Sequence, residues 1–194
     1  MSMDLEILPP ASRRIKLAVP APMRKWIHKQ ARTAARLMNV TTGNWVIHLV
    51  DDQRMIQYHQ QTMDLATTTD VLTFDYTPTD VKGSPLDLET IICVDEARRQ
   101  ASIRAHQMPK LEILLYAIHS LLHCVGYDDR TARQAQIMHK REDAILQQMG
   151  LPAVYHTTLL AATDTVSRAS TFTHSPNRSR GRRKSPAQSR GGRR

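Results

Sequence analysis

The chain is poor in cysteine: 194 residues hold two, Cys93 and Cys124, each inside an apolar run. Two thiols without framework spacing exclude a disulfide-stapled secreted scaffold and point to a reducing compartment, with no disulfide partner for either. A continuous run of about 18 apolar residues, the length that crosses a bilayer, is also missing. Near the N-terminus Pro9, Pro10, Arg13 and Arg14 break what would otherwise be the apolar core of a signal peptide. These absences lead to the expectation of a cytoplasmic protein with no membrane partner.

Acidic residues are missing from the last stretch. From Arg168 onward there are nine of the 27 Lys and Arg and no Asp or Glu. The remaining 18 basic residues match the 18 acidic ones, so this stretch carries the whole formal excess of +9. Residues 173–194, rich in Arg, Ser, Gly and Pro, have too little to bury and are expected to be disordered. Their cations Arg178, Arg180, Arg182, Arg183, Lys184, Arg190, Arg193 and Arg194 are candidates for salt-sensitive contacts to phosphate backbones. A chain of this length supports one domain with a genuine core. Residues 1–152 are assigned to it and residues 153–194 to a flexible, basic extension.

Periodicity places the elements. Ile15, Leu17 and Val19 alternate with Lys16 and Ala18, which predicts a half-buried strand ended by Pro20 and Pro22. An amphipathic helix follows over residues 23–38. Residues 44–50 predict a strand, and Asp51-Asp52 the cap of a helix running to about Met63. Residues 70–76 form a third strand, and 89–94, with its continuous apolar run Ile91-Ile92-Cys93-Val94, a central fourth. Asp95 stands as the N-cap of a polar helix to about His106. Pro109 opens a helix that is apolar nearly all round over 111–125, and residues 131–149 form the last helix, stopped by Gly150. The order predicts an α/β (α+β) single domain: a small, roughly four-stranded mixed sheet packed by about five helices, with the apolar helix buried.

That apolar helix carries the cluster best suited to an ion. His119 and His123 are four residues apart and project from one face, so both imidazoles reach a single ion. Burying two imidazoles without partners costs about 1 to 3 kcal/mol each. Gly126 lets the helix stop sharply, and Asp128 and Asp129 bring carboxylate oxygen to its end. Two forms stay open: a three-ligand site with a free position, and a closed structural site that uses both aspartates. Adjacent side chains rarely both reach one ion, which favours the open form. Zinc peptidases with a similar His-x-x-x-His helix place a glutamate directly after the first histidine. Ser120 occupies that position here, which argues against peptidase chemistry.

The segment His119-Ser120-Leu121-Leu122-His123-Cys124-Val125-Gly126-Tyr127-Asp128-Asp129 resembles His-Gly-x-Leu-His-Leu-x-Gly-Tyr-Asp-His, the motif of the YbeY family of metal-dependent endoribonucleases. Thr69-Asp70-Val71-Leu72-Thr73-Phe74 is similar to the family's Thr-Asp-Val-Leu-Ser-Phe, and Leu88-Glu89-Thr90-Ile91-Ile92 to its strand Gly-Asp-Ile-Val-Ile. Order and separation agree over residues 15–150. The resemblance implies that His119 and His123 bind one zinc or similar divalent ion. It puts Asp129 at the third ligand position, a histidine in the family, and Asp128 in a supporting role at the turn. Carboxylate oxygen ligates zinc at about 2.0 to 2.2 Å. Aspartate is shorter than histidine, so the turn must approach more closely.

The same resemblance implies a single-strand-specific endoribonuclease of ribosomal RNA maturation, at the 3′ end of 16S RNA, and of ribosome quality control. Its partners would be ribosomal RNA and the small ribosomal subunit. Catalytic residues stay unassigned, with Asp70, Glu89 and Asp128 as supporting candidates and His59 and His106 as candidate proton carriers. Seven residues before the Asp-Val-Leu segment the family usually carries an arginine, placed to hold a phosphate or stabilise developing charge. Met63 stands there in this chain, and Ser120 replaces the glycine after the first ligand. The alternative is therefore a catalytically weakened or inactive metal-containing protein that binds RNA or the ribosome.

Overall fold

A computed structural model describes residues 2–78, 83–104 and 106–155. The expected disorder of residues 173–194 and the eight candidate RNA contacts there lie outside the described residues. In chain order the elements are β1 (Met3–Ile7), α1 (Arg13–Ala18), α2 (Ala21–Leu37), β2 (Gly43–Val50), α3 (Asp52–Met63), β3 (Val71–Asp75), β4 (Leu86–Cys93), α4 (Val94–Ile103), α5 (Pro109–Cys124) and α6 (Ala132–Gln148). They form one α/β domain around a four-stranded mixed sheet of order β1-β2-β4-β3. β1, β2 and β4 run parallel, and β3 lies antiparallel against β4.

The strand expected at residues 15–19 is instead the helix α1. Ile15 and Val19, four apart, are buried, whereas Leu17 between them is 75% exposed. Spacing by four is helical, and an alternating strand would have buried all three together. The first strand is β1, where buried Met3 and Leu5 alternate with exposed Asp4 and Glu6. Asp95 is likewise not the N-cap of α4, which is Cys93. It lies in the first turn and accepts both Arg14 guanidinium nitrogens, at 2.7 and 2.6 Å, and the Asp52 backbone N–H. Helix α4 also stops at Ile103 rather than near His106. The cap expected at Asp51-Asp52 is made by Asp51, which accepts from the Arg54 N–H, and Thr131 caps α6 by accepting from the Gln134 N–H.

Helix α5 is buried as expected, with Leu111, Leu114, Ile118, Leu121 and Leu122 in the main core. Each such side chain contributes about 1.5 to 3 kcal/mol when removed from water. Rotating the helix would expose several at once, so its angular setting is fixed. Ser120 adds a polar lock. Its Oγ lies 2.9 Å from Thr73 Oγ1 on β3 and 2.8 Å from Thr90 Oγ1 on β4, and Thr90 accepts from the Trp45 indole N–H at 2.9 Å. This hydroxyl chain ties α5 to three strands one residue away from His119.

Candidate metal centre

The last turn of α5 aims His119 and His123 at each other, with Nε2 atoms 3.0 Å apart and rings almost perpendicular at 84°. Helix α5 then ends in a left-handed turn at Gly126, whose φ of +96° suits a residue without a side chain. The turn folds back so that Asp129 Oδ2 lies 3.5 Å from His119 Nε2 and Asp129 Oδ1 3.9 Å from His123 Nε2. The three expected ligand residues are thus brought together, each offering an atom within 4.8 Å of the others.

The other nitrogen of each ring is already engaged. His119 Nδ1 sits 2.8 Å from Glu142 Oε1, and His123 Nδ1 lies 3.2 Å from the Tyr127 carbonyl oxygen. A carboxylate and a carbonyl both accept, so each Nδ1 carries a proton and each Nε2 is turned inward, where it can offer a lone pair. Two lone pairs facing each other at 3.0 Å repel unless a cation stands between them. Four ligands at zinc distances are about 3.3 Å apart in a tetrahedron. The observed 3.0, 3.5 and 3.9 Å bracket that value.

Charge agrees with geometry. Glu142 is fully buried on α6, and its second oxygen has no hydrogen-bond partner, so the carboxylate needs positive charge nearby. Burial pulls the His119 pKa down, but hydrogen bonding and attraction from Glu142, with the fields of Asp129 and Asp70, outweigh it and the net direction is up. The residues present therefore fit a divalent ion. Carboxylate orientation of a ligating imidazole is a recurrent device for fixing its tautomer.

The remaining candidates divide. Asp128 turns away from the cluster: its carboxylate accepts the Asp129 N–H at 2.9 Å and the Arg130 Nε at 2.6 Å, bracing the turn. Asp70 lines the cleft beside His119 and receives the Val71 N–H. Glu89 sits elsewhere on β4, paired with His48 Nε2 at 2.7 Å. His59 Nδ1 meets the Thr67 carbonyl and His106 Nε2 meets Glu112, so both rings are held in packing. Met63, at the end of α3, is 60% exposed. Cys93 and Cys124 are free thiols, and burial first of all pushes both up, to about 11 and about 12.

A cleft of about 510 Å³ opens on His119 and Asp129, with Arg104, Tyr116, His139 and Tyr155 also on its walls. Glu142, Arg104, His139 and Tyr155 were not singled out from sequence. Glu142 alone left a trace there, as a charged residue at a core-facing position of the last helix.

The family model described as Endoribonuclease YbeY matches residues 12–150, most of the described domain. The chain belongs to the YbeY endoribonuclease family. Relatives named Endoribonuclease YbeY include that of Bifidobacterium animalis subsp. lactis, 27% identical over 166 residues, covering 83% of this chain and 87% of the relative. That of Cytophaga hutchinsonii is 28% identical over 126 residues, covering 65% and 82%. That of Staphylococcus aureus is 32% identical over 112 residues, covering 54% and 72%. Family membership supports an RNA-cleaving role for the YbeY-like domain, and the His119-His123-Asp129 group is a place within it where a metal can be held.

Proposed function

We propose that this chain is a zinc-dependent endoribonuclease that cuts single-stranded RNA, with His119, His123 and Asp129 as the metal ligands. The observation that carries this reading is the convergence of two Nε2 atoms and one carboxylate while Glu142 and Tyr127 occupy both Nδ1 atoms. Two imidazoles and a carboxylate are a donor set suited to zinc. A bound zinc ion supplies Lewis acidity toward phosphodiester oxygen. The chain's own residues do the rest. Glu142 keeps the His119 tautomer and ring angle fixed, Asp128 holds the turn that presents Asp129, and the cleft admits the strand beside them.

The biological substrate in this reading is ribosomal RNA near the 3′ end of 16S RNA, in a cytoplasmic role in maturation and ribosome quality control, with the small subunit as partner. It rests on family membership. The domain is taken as residues 1–152, and the basic extension over 153–194 supplies sequence-independent attraction to RNA; Val154 and Tyr155 at its start pack on the domain. No described helix is long and apolar enough to cross a membrane. Deleting residues 168–194 is expected to weaken RNA binding at low salt while leaving metal content unchanged.

A metal-containing RNA-binding protein without cleavage is the second reading, and the Met63 side chain where the family carries arginine favours it. Purified protein incubated with single-stranded RNA, with and without chelator, separates the two. Chelator-sensitive cleavage supports the nuclease. RNA binding with no metal-dependent cleavage supports the second reading.

A further inference from the structure

The cleft beside His119 is lined by the acidic residues Asp70, Glu96 and Asp129, and Arg104 is the one Lys or Arg among its described walls. A phosphodiester entering it carries negative charge and meets a single fixed cation. Arg104 stands where α4 ends, in extended backbone that turns the chain away from the helix. Its side chain is only 18% exposed.

Two neighbours hold the guanidinium. Its Cζ lies 4.9 Å from the Tyr155 ring centroid, and Nη1 is 3.3 Å from Glu112 Oε2, although that buried Nη1 makes no well-directed hydrogen bond. Tyr155 is fixed in turn: its ring stacks on His139 at 3.8 Å and 11°, and its backbone N–H, with that of Val154, donates to Asp143 Oδ1. A planar donor group held in place loses little freedom on meeting an anion, and its fork of N–H groups matches phosphate. Glu112 does not fully cancel the charge. Desolvation pushes its carboxyl up to about 7, and its other oxygen faces His106 Nε2 at 2.7 Å.

We propose that Arg104 is the phosphate-binding residue of the cleft, holding a phosphate of an RNA strand next to His119, His123 and Asp129, with Tyr155 and Glu112 positioning its guanidinium. This rests on the endoribonuclease reading. The test uses the full chain and short single-stranded RNA at about 0.3 M salt, where distant charges are screened. Cleavage is measured with metal bound, and RNA binding with the metal removed by chelator.

Arg104→Ala is expected to lower kcat/KM and RNA affinity by roughly ten- to a hundredfold with metal content unchanged, and Arg104→Lys to recover part of the loss. Wild-type cleavage and affinity in Arg104→Ala overturns the proposal. Because Arg104→Ala leaves Glu112 without its cation, the double variant Arg104→Ala/Glu112→Gln is examined alongside. If the folded, metal-loaded double variant behaves as wild type, the arginine serves only Glu112 and the proposal falls. A wild type that cleaves nothing sinks the nuclease reading instead, and the binding comparison still decides the role of Arg104.

Discussion

Two carboxylates flank His119, and they are built differently. Glu142 is fully buried on the long helix α6 and grips Nδ1, while Asp129 is 39% exposed on the turn after α5 and faces Nε2. The buried one is held by the core, so its distance to the ring is set when the protein folds. The exposed one depends on a short turn braced by Asp128, so its approach is adjustable at little cost in packing. The fold thus fixes the direction of the imidazole and leaves the candidate third ligand adjustable.

The sharpest way to break this contrast is Asp129→Ala. It is expected to lower zinc affinity more than any change outside the cluster while leaving the unfolding temperature of the metal-free protein nearly unchanged, as read by competition with a chelator and by thermal melting. Asp128→Ala should keep the metal, and equal losses in both variants would refute the ligand assignment. Next comes Glu142→Ala, with affinity expected to fall by about 10- to 100-fold. Here the metal-free protein also melts earlier, because the His119 N–H loses its acceptor inside the core. Equal melting temperatures would show that the buried side is not rigidly built.

Smaller effects test how far the buried side extends. Ser120→Ala removes the hydroxyl shared by Thr73 and Thr90 and is expected to cost about 1 to 2 kcal/mol in denaturant unfolding, with zinc content retained. The smallest belongs to an exposed ion pair. Hydrogen bonding from Arg99 holds the Asp52 carboxyl at about 2, below its ordinary 3.8. A lowered folded-state pKa contributes stability above the unfolded value that is lost as pH falls through the folded one. The stability gap between wild type and Asp52→Asn should therefore be constant above about pH 4 and close between there and about pH 2. A gap still undiminished at pH 2 would assign the effect to something other than charge.

What was legible in the sequence is what is local. His119, His123 and Gly126 lie within one helical turn and its end, so spacing alone paired the histidines and placed a carboxylate beside them, while the choice of Asp129 over Asp128 came from the family resemblance. Glu142 arrives from α6, 23 residues from His119, and Arg104, His139 and Tyr155 meet only through tertiary packing. At residues 15–19, apolar positions two apart are also four apart, and only the burial of Leu17 could decide between strand and helix. The neutral sum over residues 1–167 concealed another feature. From Leu8 to Val50 there are eight Lys and Arg and no acidic residue, so charge within the domain is segregated although its total cancels.

Glu142 and Asp143 are adjacent on α6, yet one orients a candidate metal ligand and the other clamps the segment that carries Tyr155 to the cleft. A shift of α6 by a single residue along its axis, about 1.5 Å, would disturb both. In the proposed reading, ion retention and strand grip are therefore coupled through one helix, and a mutation that loosens it is expected to degrade both together.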